Sequence, residues 1–151
     1  MKHKIASAPQ ITVRNLQRAV RVDVVDLEGF ARKAAALCLR LPSRKQTDLQ
    51  TLAAISVMII SDRRMASLHR RFMSEAGPTD VITFQHGEIF ISAETARHNA
   101  RRFRNKLGRE LRLYIVHGLL HLHGFDDREP AKARKMRRVQ GRILAQAGAL
   151  N

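Results

Sequence analysis

Ala54-Ile55-Ser56-Val57-Met58-Ile59-Ile60 is a seven-residue run dominated by β-branched and other apolar side chains, the pattern of a strand covered on both faces. It is expected to be the central strand. Ser61-Asp62 follows as an N-cap for a helix carrying Met65, Leu68 and Phe72, which breaks before Gly77-Pro78. Upstream, Ile11 to Asn15 reads as a short first strand and Leu27 to Leu41 as a helix, with Phe30, Ala34, Leu37 and Leu41 at helical spacing and Pro42-Ser43 ending it. Downstream, Val81 to Phe84 and Glu88 to Ile91 flank Gln85-His86-Gly87 as a hairpin. Ser92 then caps a helix from Ala93 whose exposed face holds Arg97, Arg101, Arg102 and Arg104. Gly108 breaks the chain before a helix from Glu110 to His123, and an amphipathic last helix runs from about Pro130 to Ala147. Strand, helix, strand, helix, hairpin and further helices give an α+β (mixed α/β) fold, a small mixed sheet of about four strands with helices packed on it. Residues 1–10 read as a flexible N-terminal segment and 11–151 as one domain.

The helix from Glu110 to His123 is apolar almost all round, with Leu111, Leu113, Ile115, Val116, Leu119, Leu120 and Leu122, so it belongs in the core. Only one strip of it is polar. At about 100° per residue Glu110, Tyr114, His117 and His121 share a face, which places two imidazoles one turn apart. Unpaired imidazoles in a buried helix are costly, and the pair has the geometry to chelate an ion. Gly124 can reverse the chain so that a residue beyond it, Asp126 or Asp127, supplies a third ligand. His123 lies about 200° from His121 and cannot share the ion while the helix continues. Three protein ligands leave a position for water or substrate, and zinc suits two histidines with one carboxylate. Gly118 follows the first histidine where a zinc peptidase has its glutamate base, which ranks a metallopeptidase low. Glycine there permits close approach of another backbone or of a phosphate, or serves packing.

The chain has 151 residues, 28 basic against 13 acidic, a net charge of +15 and a pI near 11.5. That charge favours a polyanionic partner, nucleic acid first. Basic helix faces after Ser92 and Pro130 suit an RNA backbone read without regard to sequence. Aromatic content of 5% with no tryptophan argues against base stacking as the dominant contact. No apolar run reaches the roughly 20 residues of a membrane span, and the single Cys38 cannot form an intramolecular disulfide, so the cytosol is the expected compartment. The basic stretch through Arg21 is not serine-rich and lacks an apolar segment, which argues against a targeting peptide.

His117-Gly118-Leu119-Leu120-His121-Leu122-His123-Gly124-Phe125-Asp126-Asp127 resembles the hallmark of the YbeY family of metal-dependent endoribonucleases, His-Gly-x-Leu-His-Leu-x-Gly-Tyr-Asp-His. Gly77 to Phe84 is similar to that family's Pro-Thr-Asp-Val-Leu-Ser-Phe block, and Gly87 to Ala96 to its Gly-Asp-Ile-x-Ile-Ser block. The resemblance implies a metal-dependent endoribonuclease of ribosomal RNA maturation and ribosome quality control, acting on single-stranded RNA with ribosomal partners. It implies His117 and His121 as ligands and places Asp127 where the family has its third, a histidine. A carboxylate there preserves a zinc site and moves preference toward manganese or magnesium. The family's arginine aligns with Met73, leaving Arg70 or Arg71, one turn earlier, to contact phosphate. The loop between Phe84 and Gly87 is shorter than the family's. The other reading is a non-catalytic RNA- or ribosome-binding factor with a structural metal.

Overall fold

The computed structural model describes residues 8–77 and 79–149. Residues 1–7, most of the segment expected to be flexible, and Pro78 lie outside that range, while Pro9 is buried and Gln10 opens the first strand. The chain runs β1 (Gln10–Asn15), α1 (Val24–Leu39), α2 (Asp48–Thr51), β2 (Ala54–Ile60), α3 (Asp62–Met73), β3 (Val81–Phe84), β4 (Glu88–Ser92), α4 (Ala93–Arg102), α5 (Leu107–Leu122) and α6 (Pro130–Ala149). The sheet order is β1-β2-β4-β3, with β1 and β4 parallel to β2 and β3 antiparallel on the edge. The mixed α+β architecture is therefore as expected, with β2 inside the sheet.

Alternation along the strands divides the apolar residues between two layers. Ile11, Val13, Ile55, Val57, Ile59, Ile89 and Ile91 face the main core with α1, α4, α5 and α6. Met58, Ile60, Ile82, Phe84 and Phe90 face the other way, where they meet Met65 and Leu68 of α3. Because β3 is antiparallel, the β2–α3–β3 passage is not a parallel crossover, and the right-handed rule that fixes the side of such helices does not bind it. α5 is apolar outside its one polar strip because it packs on the sheet with one side and on α1, α4 and α6 with the others.

Local corrections follow from capping. α1 starts at Val24, three residues before the expected Leu27, because Asp23 accepts from the Asp26 amide at 3.1 Å. Gly108 does not break the chain but sits in the first turn of α5, where burial of Leu111 and Tyr114 outweighs glycine's cost of about 1 kcal/mol. Ser92 occupies the N-cap position of α4 without capping it; its hydroxyl donates to Asp62, whose carboxylate also accepts from the Thr95 amide and hydroxyl. Arg104 lies past the end of α4, with φ of 56°. The short α2 was not expected; Thr47 and Gln50 form a reciprocal capping box around it. Of Met65, Leu68 and Phe72 on α3, Met65 is buried and Phe72 is exposed. Asp80 acts as a turn acceptor for the Val81 amide at 2.8 Å.

Candidate metal centre

The polar strip of α5 divides in two. Its first half is closed by α4 and the loop after it: Tyr114 accepts from the Asn99 amide nitrogen at 2.9 Å, and Glu110 from Asn105 at 3.3 Å. Its second half is different. His117 and His121 lie ring against ring, centroids 4.5 Å apart, with Nε2 to Nε2 at 2.9 Å. An oxygen of Asp127 stands 3.6 Å from one Nε2 and 3.8 Å from the other. The three side chains remain 24%, 29% and 44% exposed in chain order, so solvent reaches the point on which they converge.

The helix terminus builds this approach. Phe125 donates to the Leu120 carbonyl and Gly124 to the His121 carbonyl, each at 3.0 Å, with Gly124 at φ of 89°. This is a Schellman motif, whose left-handed residue favours glycine. It aims the Phe125 carbonyl back at His121 Nδ1, 3.0 Å away. On the other ring, Nδ1 lies 2.7 Å from Gln140 Oε1 of α6. Both partners are acceptors, so in each neutral ring the proton sits on Nδ1 and the lone pair on Nε2. Two lone pairs then face each other at hydrogen-bond distance beside a carboxylate. Such an arrangement calls for a shared cation. Tetrahedral zinc, with ligand bonds near 2.0–2.2 Å, spaces its ligand atoms about 3.3 Å apart, within the range of distances found here. The residues fit a divalent metal ion, and His117, His121 and Asp127 are a group that could hold one. Burial and the neighbouring His117 hold His121 below the usual histidine range, which favours the neutral, ligating form.

The other candidates on this segment are engaged elsewhere. Asp126 accepts from the Arg128 amide at 2.9 Å and from its guanidinium at 3.1 Å, which lowers its pKa. His123 is buried with Nδ1 on Thr47 Oγ1 and Nε2 on the Leu41 carbonyl, a tie between the end of α5 and the loop before α2. A Cβ on Gly118 would stand 2.8 Å from Ile89 Cγ2 and 3.0 Å from Thr83 Oγ1, so the glycine serves packing of α5 on the sheet. Arg70 and Arg71 are exposed on α3, a helix on the opposite sheet face from α5, and neither forms a hydrogen bond or ion pair with the histidines or Asp127. Gln140 was missed from sequence, although it is a polar residue near the inward positions Met136, Val139 and Ile143 of α6.

The sequence profile described as Endoribonuclease YbeY matches residues 12–148. The chain belongs to the YbeY family. Its relatives include YbeY endoribonucleases from Frankia alni, 35% identical over 89% of this chain and 81% of theirs, and from Frankia casuarinae, 33% identical over 89% and 73%. The YbeY endoribonuclease of an Anaeromyxobacter species is 37% identical over 64% of this chain and 55% of its own. The solution structure of TM1509 from Thermotoga maritima superposes with a TM-score of 0.63, covering 91% of this chain and 89% of that one at 23% identity, so the two share a fold. No helix among the described residues is long and apolar enough to cross a membrane.

Proposed function

We propose that this YbeY-family protein is a metal-dependent endoribonuclease that acts on single-stranded regions of ribosomal RNA in the cytosol, in ribosomal RNA maturation and ribosome quality control. Residues 11–151 act as one domain. The observation that carries the reading is the convergence of two Nε2 lone pairs and a carboxylate on one solvent-facing point. His117, His121 and Asp127 would hold one divalent ion, and the donor set suits zinc. When bound, such an ion supplies Lewis-acid polarisation of a phosphoryl oxygen and acidification of water. The chain supplies the rest. Gln140 and the Phe125 carbonyl hold the rings in the ligating tautomer. The net charge of +15 draws in a polyanion. Arg70 and Arg71 contact its phosphates from α3, as positioning groups for the RNA.

Cleavage of a single-stranded RNA by purified protein, abolished both by a chelator and by His117→Ala, is the expected result. RNA binding without cleavage would overturn the enzyme reading. It would favour a non-catalytic RNA- or ribosome-binding factor with a structural metal. The observation favouring that second reading is that neither Arg70 nor Arg71 reaches the metal-ligand group.

A further inference from the structure

α3 leaves part of its sheet face open, and what stands there is not an ordinary solvated surface. Strand pairing aligns Arg14, Met58, Phe90 and Ile82 in one row across all four strands, and Thr12, Ser56, Glu88 and Phe84 in the next. Both rows point away from α5. Ile60, Met65 and Ile82 are buried beneath α3, but Met58, Phe84 and Phe90 are only half-buried and Thr12 and Arg14 are exposed. Phe84 is the hub of a ring cluster. Its centroid lies 5.2 Å from Phe72 and 5.8 Å from Phe90, both edge-on, and 5.6 Å from the His86 ring at 21°. Phe72 is 53% exposed, Met73 beside it is exposed, and so is His86. Three of the six phenylalanines are thus gathered on this face, so a low aromatic content does not prevent a local platform.

The charges around the rings are predominantly positive. Arg71 holds its guanidinium 5.4 Å from the Phe72 centroid, and Arg63, Arg64 and Arg70 are exposed on the same helix. The neighbouring carboxylates have other partners, Glu88 with His86, Glu75 with His69, and Asp62 with Ser92 and Thr95, and none forms an ion pair with these arginines. A wholly apolar protein partner would leave these guanidinium groups without counter-charges. An unpaired polynucleotide satisfies both features, since bases stack on exposed rings while phosphates meet arginines. We propose that the α3 face of the sheet binds single-stranded RNA, with bases stacked on Phe72 and His86, both packed against Phe84, and phosphates on Arg14, Arg70 and Arg71. The proposal rests on RNA being the substrate and adds a second contact surface on the opposite side of the sheet from the metal ligands. Recognition there is of unpaired, stackable bases rather than of sequence.

The test is fluorescence anisotropy with the full chain and a labelled, 2′-O-methylated RNA of about 12 nucleotides, beside an abasic strand carrying the same number of phosphates. Phe72→Ala is expected to weaken RNA binding on the order of tenfold, Phe72→Tyr to leave it within about twofold, and His86→Ala to weaken it several-fold. Binding of the abasic strand and the salt slope should not change with Phe72→Ala, because no charge is lost. Wild-type RNA affinity in both alanine variants, which would mark the patch as a protein-docking surface, overturns the proposal. Equal losses for RNA and abasic strand overturn it too. Cleavage assays on a ribo-oligomer run in parallel: metal-dependent cleavage with no Phe72 effect sinks the platform alone, whereas Phe72-dependent binding with no cleavage sinks the nuclease reading alone.

Discussion

Replacing Gln140 by Leu removes the acceptor that holds the proton on His117 Nδ1, at 2.7 Å in the structure. Gln140 is half-buried on a helix whose buried residues include Met136, Val139 and Ile143, so leucine of similar size keeps α6 packed. What changes is the imidazole. With no partner at Nδ1 the ring is free to carry its proton on Nε2, the atom that must ligate, and to turn away from His121. Loss of such a supporting contact commonly costs 10- to 100-fold in metal affinity, or about 1.4–2.7 kcal/mol. The assay is competition for zinc against a chromophoric chelator at neutral pH, with thermal unfolding of the metal-free proteins as a control on folding. Gln140→Leu should raise the zinc Kd at least tenfold with little change in metal-free Tm. Gln140→Glu, which keeps an acceptor and makes it stronger, should bind zinc as tightly as the natural chain or more so. A Gln140→Leu protein with unchanged zinc Kd, or a Gln140→Glu protein weakened tenfold, would refute the tautomer argument.

Asp127→Ala should lose most zinc affinity while Asp126→Ala keeps it, since Asp126 is held by Arg128; isothermal titration decides, and the reverse order would reassign the ligand. Gly118→Ala forces a Cβ to 2.8 Å from Ile89, so urea unfolding should show a loss of about 1–3 kcal/mol; an unchanged midpoint would contradict the packing role. Burial pushes the Cys38 thiol from 9.0 up to about 12. Its contribution is therefore fully present below pH 9 and is lost as pH rises toward 12, with on the order of 2–3 kcal/mol gone by pH 11. Denaturant midpoints measured from pH 8 to 11 should fall more steeply for the natural chain than for Cys38→Ala; parallel curves would count against it.

Much of this was legible because burial and period agree. The run Ala54–Ile60 is β2 to the residue, since a β-branched strand with both faces covered has no competing reading. The His117–His121 spacing survives any error in where α5 begins, as i, i+4 geometry is internal to the helix. What stayed illegible is long-range. Gln140 reaches His117 from another helix, and no spacing within α5 announces it. Arg70 and Arg71 sit near the Pro-Thr-Asp block in sequence, but which sheet face α3 covers depends on β3 being antiparallel, which the hairpin alone does not translate into a side. α2 is a single turn, too short for a periodic signal, and only the Thr47-to-Gln50 capping box marks it. Spacing alone does not separate Asp126 from Asp127; the family resemblance points to Asp127, and in the structure Arg128 takes Asp126.

The most direct test of the account is an anomalous-scattering map at the zinc edge from crystals of the protein purified without chelators, joined to metal analysis of the same sample. One ion per chain, with its peak among His117 Nε2, His121 Nε2 and the Asp127 carboxylate, is the expected result. A metal-free protein that does not take up zinc on addition, with the two imidazoles sharing a proton, or a peak on other residues, would contradict it.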